Sequence, residues 1–330
     1  MRQILQLLLS LLIAGVLLVI LFRWGDVSLE VLLQTLRELP ASVYFKALAV
    51  HAGIYLLRAA RFRVLLPPER RPTLRALLAV SASHNLAAYV LPAKTGEGTL
   101  VVYLRKVCGV PAGAGLGSLV VSRLLDLSTL ALLLSIATLI LSSRGVLAAS
   151  WSLPLGVALA LGALSMFVLA ARSAWLVASL TWLVRRMGLA STSIGGKVTA
   201  KADSVAQAFR EAGEGGRLWG AMLLSIPLWM GVFAFYYVLA GGFGLGAELD
   251  SIEATFASSW AVLANLLPVN GFAGAGTQEW GWTYGFTSVG VGDTIAISSG
   301  LGTHIVQLGN VVLFGLIGHA AMALAARDKK

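Results

Sequence analysis

Long apolar runs separated by short charged junctions make up nearly the whole chain, and the length of each run limits what it can form. From Ile4 to Phe22 nineteen residues pass with only Gln6 and Ser10 as polar breaks. That is close to the roughly 20 residues that carry a helix across a hydrocarbon core of about 30 Å. Comparable runs cover Val43–Val64, Ala112–Leu141, Trp151–Ala171, Leu218–Gly241 and Thr294–Ala326, so six spanning helices are predicted. A secretory leader is shorter and ends in a small-residue cleavage site. The first run leads instead into Arg23-Trp24-Gly25-Asp26 and is read as a retained span.

Two more apolar regions are too broken to cross. Thr73–Leu91 meets Pro92-Ala93-Lys94-Thr95-Gly96, and the ten residues Gly98–Val107 that remain rise only about 15 Å at about 1.5 Å per residue. Ile252–Leu267 likewise stops at Pro268, passes Gly271, Gly274 and Gly276, and resumes as Thr277–Val289, about 20 Å long. Each region is predicted to be a re-entrant hairpin of two half-helices. Irregular backbone at that depth is tolerated only where it lines a protein-enclosed or water-filled cavity.

Composition agrees, with 58% hydrophobic and 12% charged residues among 330 and a mean hydropathy of +0.84, where soluble domains carry about 25% charged. This excludes a water-soluble enzyme, and Cys108 as the single cysteine excludes a disulfide scaffold. The net charge of +10 reads as topology rather than as a nucleic-acid surface, because Lys and Arg gather on the cytoplasmic side of short loops. Arg61, Arg63, Arg70, Arg71 and Arg75, then Arg105-Lys106, the stretch from Arg172 to Arg217, and Arg327-Asp328-Lys329-Lys330 all fall on one side. Glu248, Asp250, Glu253 and Asp293 fall on the other. Both termini are therefore expected in the cytoplasm, with the chain in a bacterial inner (plasma) membrane.

The order span, hairpin, span occurs at 43–141 and again, inverted, at 218–326. The predicted fold is thus an all-α polytopic membrane protein, one domain over 1–330, with six transmembrane helices and two re-entrant hairpins in an inverted repeat. Residues 1–42 supply an accessory span and an interfacial helix on which Leu29, Leu32, Leu33, Leu36 and Leu39 share a face. Residues 142–217 supply a connecting span and two amphipathic stretches, Trp175–Val184 and the helix striped by Val198, Val205 and Phe209. Inverted repeats mark transporters, whose sites lie near the midplane at broken helices.

Specific residues sharpen this. The run Arg58-Ala59-Ala60-Arg61, then Asn85, Leu91-Pro92, Gly96-Glu97 and Arg123 with Asp126 resembles the N-terminal signature of the lysylphosphatidylglycerol synthase transmembrane family of flippase-like proteins. Leu267-Pro268, Gly271, Gly274, Gly276 and Glu279 are similar to its second signature, and the likeness covers most of the chain from about Val43 onward. The resemblance implies lipid handling or translocation. In full-length synthases of that family a soluble aminoacyl-transferase domain follows the membrane part, and none follows here before Lys330, so the implied role is not enzymatic. His304 stands where the family's arginine in the last span is expected, replacing a fixed charge by one that titrates near neutrality.

Read physically, Glu97 and Glu279 are expected in the first turns of half-helices, where a carboxylate either caps free N–H groups or takes protons inside the cavity. Lys94 and Arg123 are the expected partners of a phosphate group, with the helix starts after Gly96 and Gly276 adding N–H donors. Asp126, one turn after Arg123, offers an internal ion pair as the alternative. Asn85 is expected to bond across to the hairpin turn or to contact substrate, and Arg58 and Arg61 to hold headgroups or to snorkel. Trp280 and Trp282 either pack or line the cavity, while His51 and His319 read as ordinary bundle residues. Ser298 and Ser299 share a helix with His304, which does not make a protease dyad. No nucleotide or metal motif occurs, so no cofactor is expected. Two functions remain open. One is a translocase for an anionic phospholipid or lipid-linked headgroup, coupled, if active, to protons or the membrane potential. The other is a non-transporting lipid-binding or accessory subunit of a lipid or envelope biosynthesis system.

Overall fold

The computed structural model describes residues 2–25, 27–188, 210, 216–245, 249–266 and 271–327. Among them are twelve α-helices and no strand. The first, α1 (Arg2–Trp24), meets the amphipathic α2 (Leu29–Glu38) at an angle of 84°. Ser28 caps α2, its Oγ accepting the Val31 N–H at 3.2 Å. Next come α3 (Ala41–Leu65), α4 (Leu74–Val90), a 3₁₀ segment over Pro92–Gly98, α5 (Thr99–Cys108) and α6 (Ala112–Ser143). After α7 (Ala149–Ala171) and α8 (Ser173–Arg186), the chain continues as α9 (Arg217–Gly242) and α10 (Ser251–Leu266). A short 3₁₀ turn at Phe272–Gly274, α11 (Thr277–Thr287) and α12 (Asp293–Arg327) complete it.

The half-helices agree with the sequence expectation to within two residues at every end that is described. Local chemistry accounts for the ends. Gly109 takes a left-handed φ of 70° that closes α5, and Pro111 follows at the start of α6. Asp250 opens α10 as a capping box: its Oδ1 accepts the N–H groups of Ile252 and Glu253, while Glu253 Oε2 accepts the Asp250 N–H at 2.8 Å.

Four helices, α6, α7, α9 and α12, are long and apolar enough to cross a membrane, and the bent pair α1–α2 taken together adds a fifth. Six were expected. The shortfall at α3 has a physical reason, because its 25 residues include Lys46, Arg58, Arg61 and Arg63, which dilute its hydropathy. One side of α7 is apolar and exposed at Leu153, Val157, Leu161, Leu164 and Val168, a stripe at helical spacing that suits acyl chains. The stretch Trp175–Val184 falls within α8, whereas the helix expected around Val198, Val205 and Phe209 lies outside the described residues.

Helices α3 and α9 pack side by side at the centre, α4 lies along α12, and α6 lies along α7. The two hairpins close differently. In α10–α11, a Cβ added to Gly281 or Gly285 would collide with the carbonyl oxygens of Trp260 and Ala257, so the arms touch backbone to backbone. In α4–α5 the arms are held by side chains, among them Leu77, Val80, Leu100 and Leu104. There the close approach is confined to the turn, where Gly96 sits against the backbone of Ala87 and Ala88.

Candidate functional site

A cavity of about 370 Å³ opens between the two hairpin turns, toward the lower end of the roughly 300–1,000 Å³ of small-ligand sites. Its charged side is formed by Arg58 from α3, Glu97 from the first turn, and Arg123 and Asp126 from α6. Its far wall includes Phe272, Ala273 and Gly274 from the second turn, and Ile54, Leu130, Leu228 and Val232 make an apolar flank.

On the first-hairpin side the ion pairs form a chain. Arg123 donates from Nη2 and Nε to Glu97 Oε2 at 2.5 and 3.2 Å, and from Nη1 to Asp126 Oδ2 at 3.2 Å. Asp126 also accepts two bonds from Arg61, at 2.6 and 3.2 Å, and one from Trp229 Nε1 at 2.9 Å. Four donors on two oxygens saturate that carboxylate. Asp126 therefore anchors the site. Glu97 does not sit in the first turn of a half-helix as expected. It lies in the 3₁₀ segment before α5 and turns its carboxylate to Arg123. His84 Nε2 stands 3.7 Å from it.

The second side repeats this plan with other groups. His304 is the twelfth residue of α12, as Arg123 is of α6. It meets Glu279 of the second hairpin through Nδ1 and Oε1 at 2.7 Å, while its Nε2 faces the carbonyl of Ala273 at 3.1 Å. The other Glu279 oxygen accepts the Gly276 N–H at 2.8 Å, so Glu279 caps α11 as the sequence suggested. Ala273 holds φ at 54° to present that carbonyl, a conformation that costs a residue with a Cβ about 1 kcal/mol or more. The His304 and Glu279 side chains are only 5% and 4% exposed, and neither lines the cavity. Helix α1 lies over this side, with Leu17 against Gly276. The expectation that Glu279, Gly276 and His304 face a ligand in the cavity is corrected accordingly, while Gly274 does line it.

Other expectations change partners. Arg61 neither snorkels nor faces a headgroup; it is buried on Asp126 and on Ser225 Oγ, the latter at 3.0 Å. Asn85 bonds to α3 rather than to the turn, accepting from Arg58 Nη1 and donating to the Tyr55 hydroxyl, both at 2.8 Å. His51, read as a plain bundle residue, stacks on Tyr55 and lines the cavity. Trp282 is buried against Phe286 and Tyr236, and Trp280 packs on Trp24, so both are packing residues. His319 bonds with the Tyr103 hydroxyl at 3.2 Å. Ser299 Oγ accepts from Trp282 Nε1 and does not approach His304. Gly96 is the close-contact residue of the first turn, and Pro92 begins its 3₁₀ segment. Pro268 and the side chain of Lys94 lie outside the described residues.

Sequence reasoning missed a set of neutral groups. Asn265 Nδ2 donates to Gln278 Oε1 at 2.5 Å, Gln278 Nε2 to Gln307 Oε1 at 2.7 Å, and Gln307 Nε2 to the Tyr89 hydroxyl at 2.5 Å. This line ties the second hairpin to the first. Gln307 lies one turn after His304 as Asp126 lies one turn after Arg123, a spacing that was open to view.

The family model described as the lysylphosphatidylglycerol synthase TM region matches residues 4–315. No curated protein and no solved structure shows a significant match.

Proposed function

The chain belongs to the lysylphosphatidylglycerol synthase transmembrane family, and from that premise we propose that it moves an anionic phospholipid or lipid-linked headgroup between the leaflets of a bacterial inner membrane. In this reading α1, α3, α6, α7, α9 and α12 span the bilayer, α4–α5 and α10–α11 re-enter from opposite faces, and both termini are cytoplasmic. An inverted repeat is supported by the packing. Exchanging α3, α4, α5 and α6 for α9, α10, α11 and α12 maps α4 beside α12 onto α10 beside α6, and α3 beside α4 onto α9 beside α10. The matched positions of Arg123 and His304 support it too.

The observation that carries the reading is a charged cavity between two hairpin turns, gated by an ion pair that is not sealed. Arg123 and Glu97 keep 43% and 33% of their side-chain surface exposed, so an anion can compete for the guanidinium. The saturation of Asp126 and the capping of Gly276 by Glu279 support Glu97 as the carboxylate that exchanges a proton or a partner during transport. In vesicles containing the purified protein and a fluorescent anionic phospholipid, the inner-leaflet label should become accessible to an impermeant quencher. Glu97→Gln should slow that exposure. Binding of the lipid with no movement in the wild type supports the accessory-subunit function instead.

A further inference from the structure

Both ring nitrogens of His304 face oxygen atoms. Nε2 lies 3.1 Å from the carbonyl of Ala273, which can only accept, so Nε2 carries a hydrogen. Nδ1 lies 2.7 Å from Glu279 Oε1, a separation at which two bare lone pairs would repel, so a hydrogen stands between them as well. The other Glu279 oxygen is occupied by the Gly276 N–H at 2.8 Å. Two contacts need two hydrogens, whereas a neutral imidazole brings one and a carboxylate none. The pair thus holds one extra proton, whatever charges lie elsewhere in the bundle. Because Glu279 sits in the first turn of α11, where an ionised carboxylate is favoured, that proton belongs on His304. Among the described residues Glu279 is the only charged group that faces His304. On the neighbouring elements, Arg23 of α1, Tyr284 of α11 and Glu30, Arg37 and Glu38 of α2 are exposed. Deeper in the bundle His84 faces Glu97, Arg58 bonds to Asn85, His51 stacks on Tyr55, Tyr89 and Tyr236 face Gln307, and Tyr103 faces His319.

We propose that His304 and Glu279 form a proton-binding site that latches the second hairpin turn, and that release of the proton frees the turn. This goes beyond the lipid-handling reading and does not depend on it. Once the proton has passed to a base in the medium, one hydrogen is left for two contacts, and one contact must break. The carboxylate is the stronger acceptor. The remaining hydrogen therefore stays on Nδ1, and the bare lone pair of Nε2 is turned on the Ala273 carbonyl. Ala273 is ready to leave, because a residue with a Cβ holds its φ of 54° only while the surroundings impose it. Its departure reaches the cavity, whose far wall includes Phe272, Ala273 and Gly274. The proton has no open way out, since the two side chains are almost fully buried and Leu17 of α1 lies on Gly276 while its carbonyl accepts from Trp280 Nε1 at 3.3 Å. Loss of the proton and loosening of the turn beneath α1 are one event.

Two spectra of the detergent-solubilised protein, recorded from about pH 5 to about pH 10 around the unperturbed histidine value of about 6.5, test this. Nitrogen-15 resonances of labelled histidine, assigned by replacing the four histidines one at a time, follow the proton on His304. Hydrogen–deuterium exchange, corrected for its intrinsic dependence on pH, follows the turn through Gly274 and Ala275, whose N–H groups bond to Gly271 and Phe272 at 2.9 and 3.0 Å. As pH rises, His304 should pass in one step from hydrogens on both nitrogens to a hydrogen on Nδ1 alone. Exchange in the turn should speed at the same step by about tenfold or more, the effect of one lost hydrogen bond to a charged group. Glu279→Gln sharpens the test, because its amide nitrogen donates to Nδ1 and its oxygen accepts the Gly276 N–H, so every contact is met without a titrating proton. That variant should keep the turn protected with no step. Exchange that is level across the range in the wild type, a step that does not coincide with that of His304, or the same step in a folded Glu279→Gln overturns the proposal. Should Glu279→Gln not fold, the coincidence of the two wild-type steps decides alone.

Discussion

At the first hairpin Glu97 meets Arg123 with a third or more of both side chains open to the cavity, whereas at the second Glu279 meets His304 with almost nothing exposed. The arms differ in the same direction. Gly281 and Gly285 bring α10 and α11 into backbone contact, while leucine and valine side chains separate α4 from α5. The outer caps follow suit: Asp250 engages two N–H groups of α10 and an ion pair with Arg144, against a single 3.3 Å bond from Ala76 to Thr73 on α4. Similar carboxylate–cation contacts are thus closed at the second hairpin and open at the first. A carboxylate and its cationic partner are found on both sides, and burial decides which pair can be opened.

The largest test of this division lies at the point that both sides depend on. Asp126→Ala leaves Arg61 buried with no counter-charge, and breaking such a pair costs about 3–5 kcal/mol. The variant should unfold in detergent well below the wild-type temperature, as read by loss of a single elution peak on heating. A variant as stable as wild type means that Arg61 finds water, and that the first side is more open than its burial shows.

Next in size is a contrast between glycines. Gly285→Ala forces a methyl group into the Ala257 carbonyl, and overpacking of this kind costs about 1–3 kcal/mol. Gly98→Ala, with nothing within 4 Å of the added carbon, should stay within about 0.5 kcal/mol of wild type. Comparable losses at both positions in thermal unfolding would erase the distinction between a locked and a loose hairpin.

The smallest effect concerns the exposed cap of α10. Partial burial pushes the Asp250 carboxyl up, but the N–H of Glu253, the Arg144 guanidinium and the N–H of Ile252 outweigh it and hold the group below its ordinary value. A depressed carboxylate stabilises the fold at neutral pH, and the contribution begins to fade as pH falls below about 4, the unfolded value. Asp250→Ala should therefore cost about 1 kcal/mol at pH 7, with the gap to wild type narrowing as the medium is acidified toward pH 3. A gap independent of pH assigns the loss to packing.

Run length and the Pro and Gly breaks made both hairpins legible in the sequence, because a ten-residue helix cannot cross a bilayer whatever it packs against. The pairing of Arg123 with Asp126 was legible from spacing, and the correspondence of His304 with Arg123 from distance along the chain. Facing was not. Nothing in the order of residues reveals that α1 covers Gly276 and so turns the His304 side away from the cavity. Arg58 and Arg61 look alike one turn apart, yet Ser225 on a helix more than 150 residues later receives only one of them. The neutral line through Gln278 and Gln307 carries no charge pattern and escaped notice for that reason.

The glycine seam of the second hairpin also limits how its sequence can drift. Gly281 faces the Trp260 carbonyl and Gly285 the Ala257 carbonyl, in antiparallel register. Slipping α11 by one residue would drive Trp280 or Trp282, and Tyr284 or Phe286, into the same two oxygens. Insertions and deletions inside α10 after Ala257 or inside α11 before Gly285 therefore have no neighbouring alignment to fall into, whereas the exposed junction around Arg144 and Gly145 can absorb extra length. Lineages that vary this chain should change its length at that junction and keep the two helical arms of the seam ungapped.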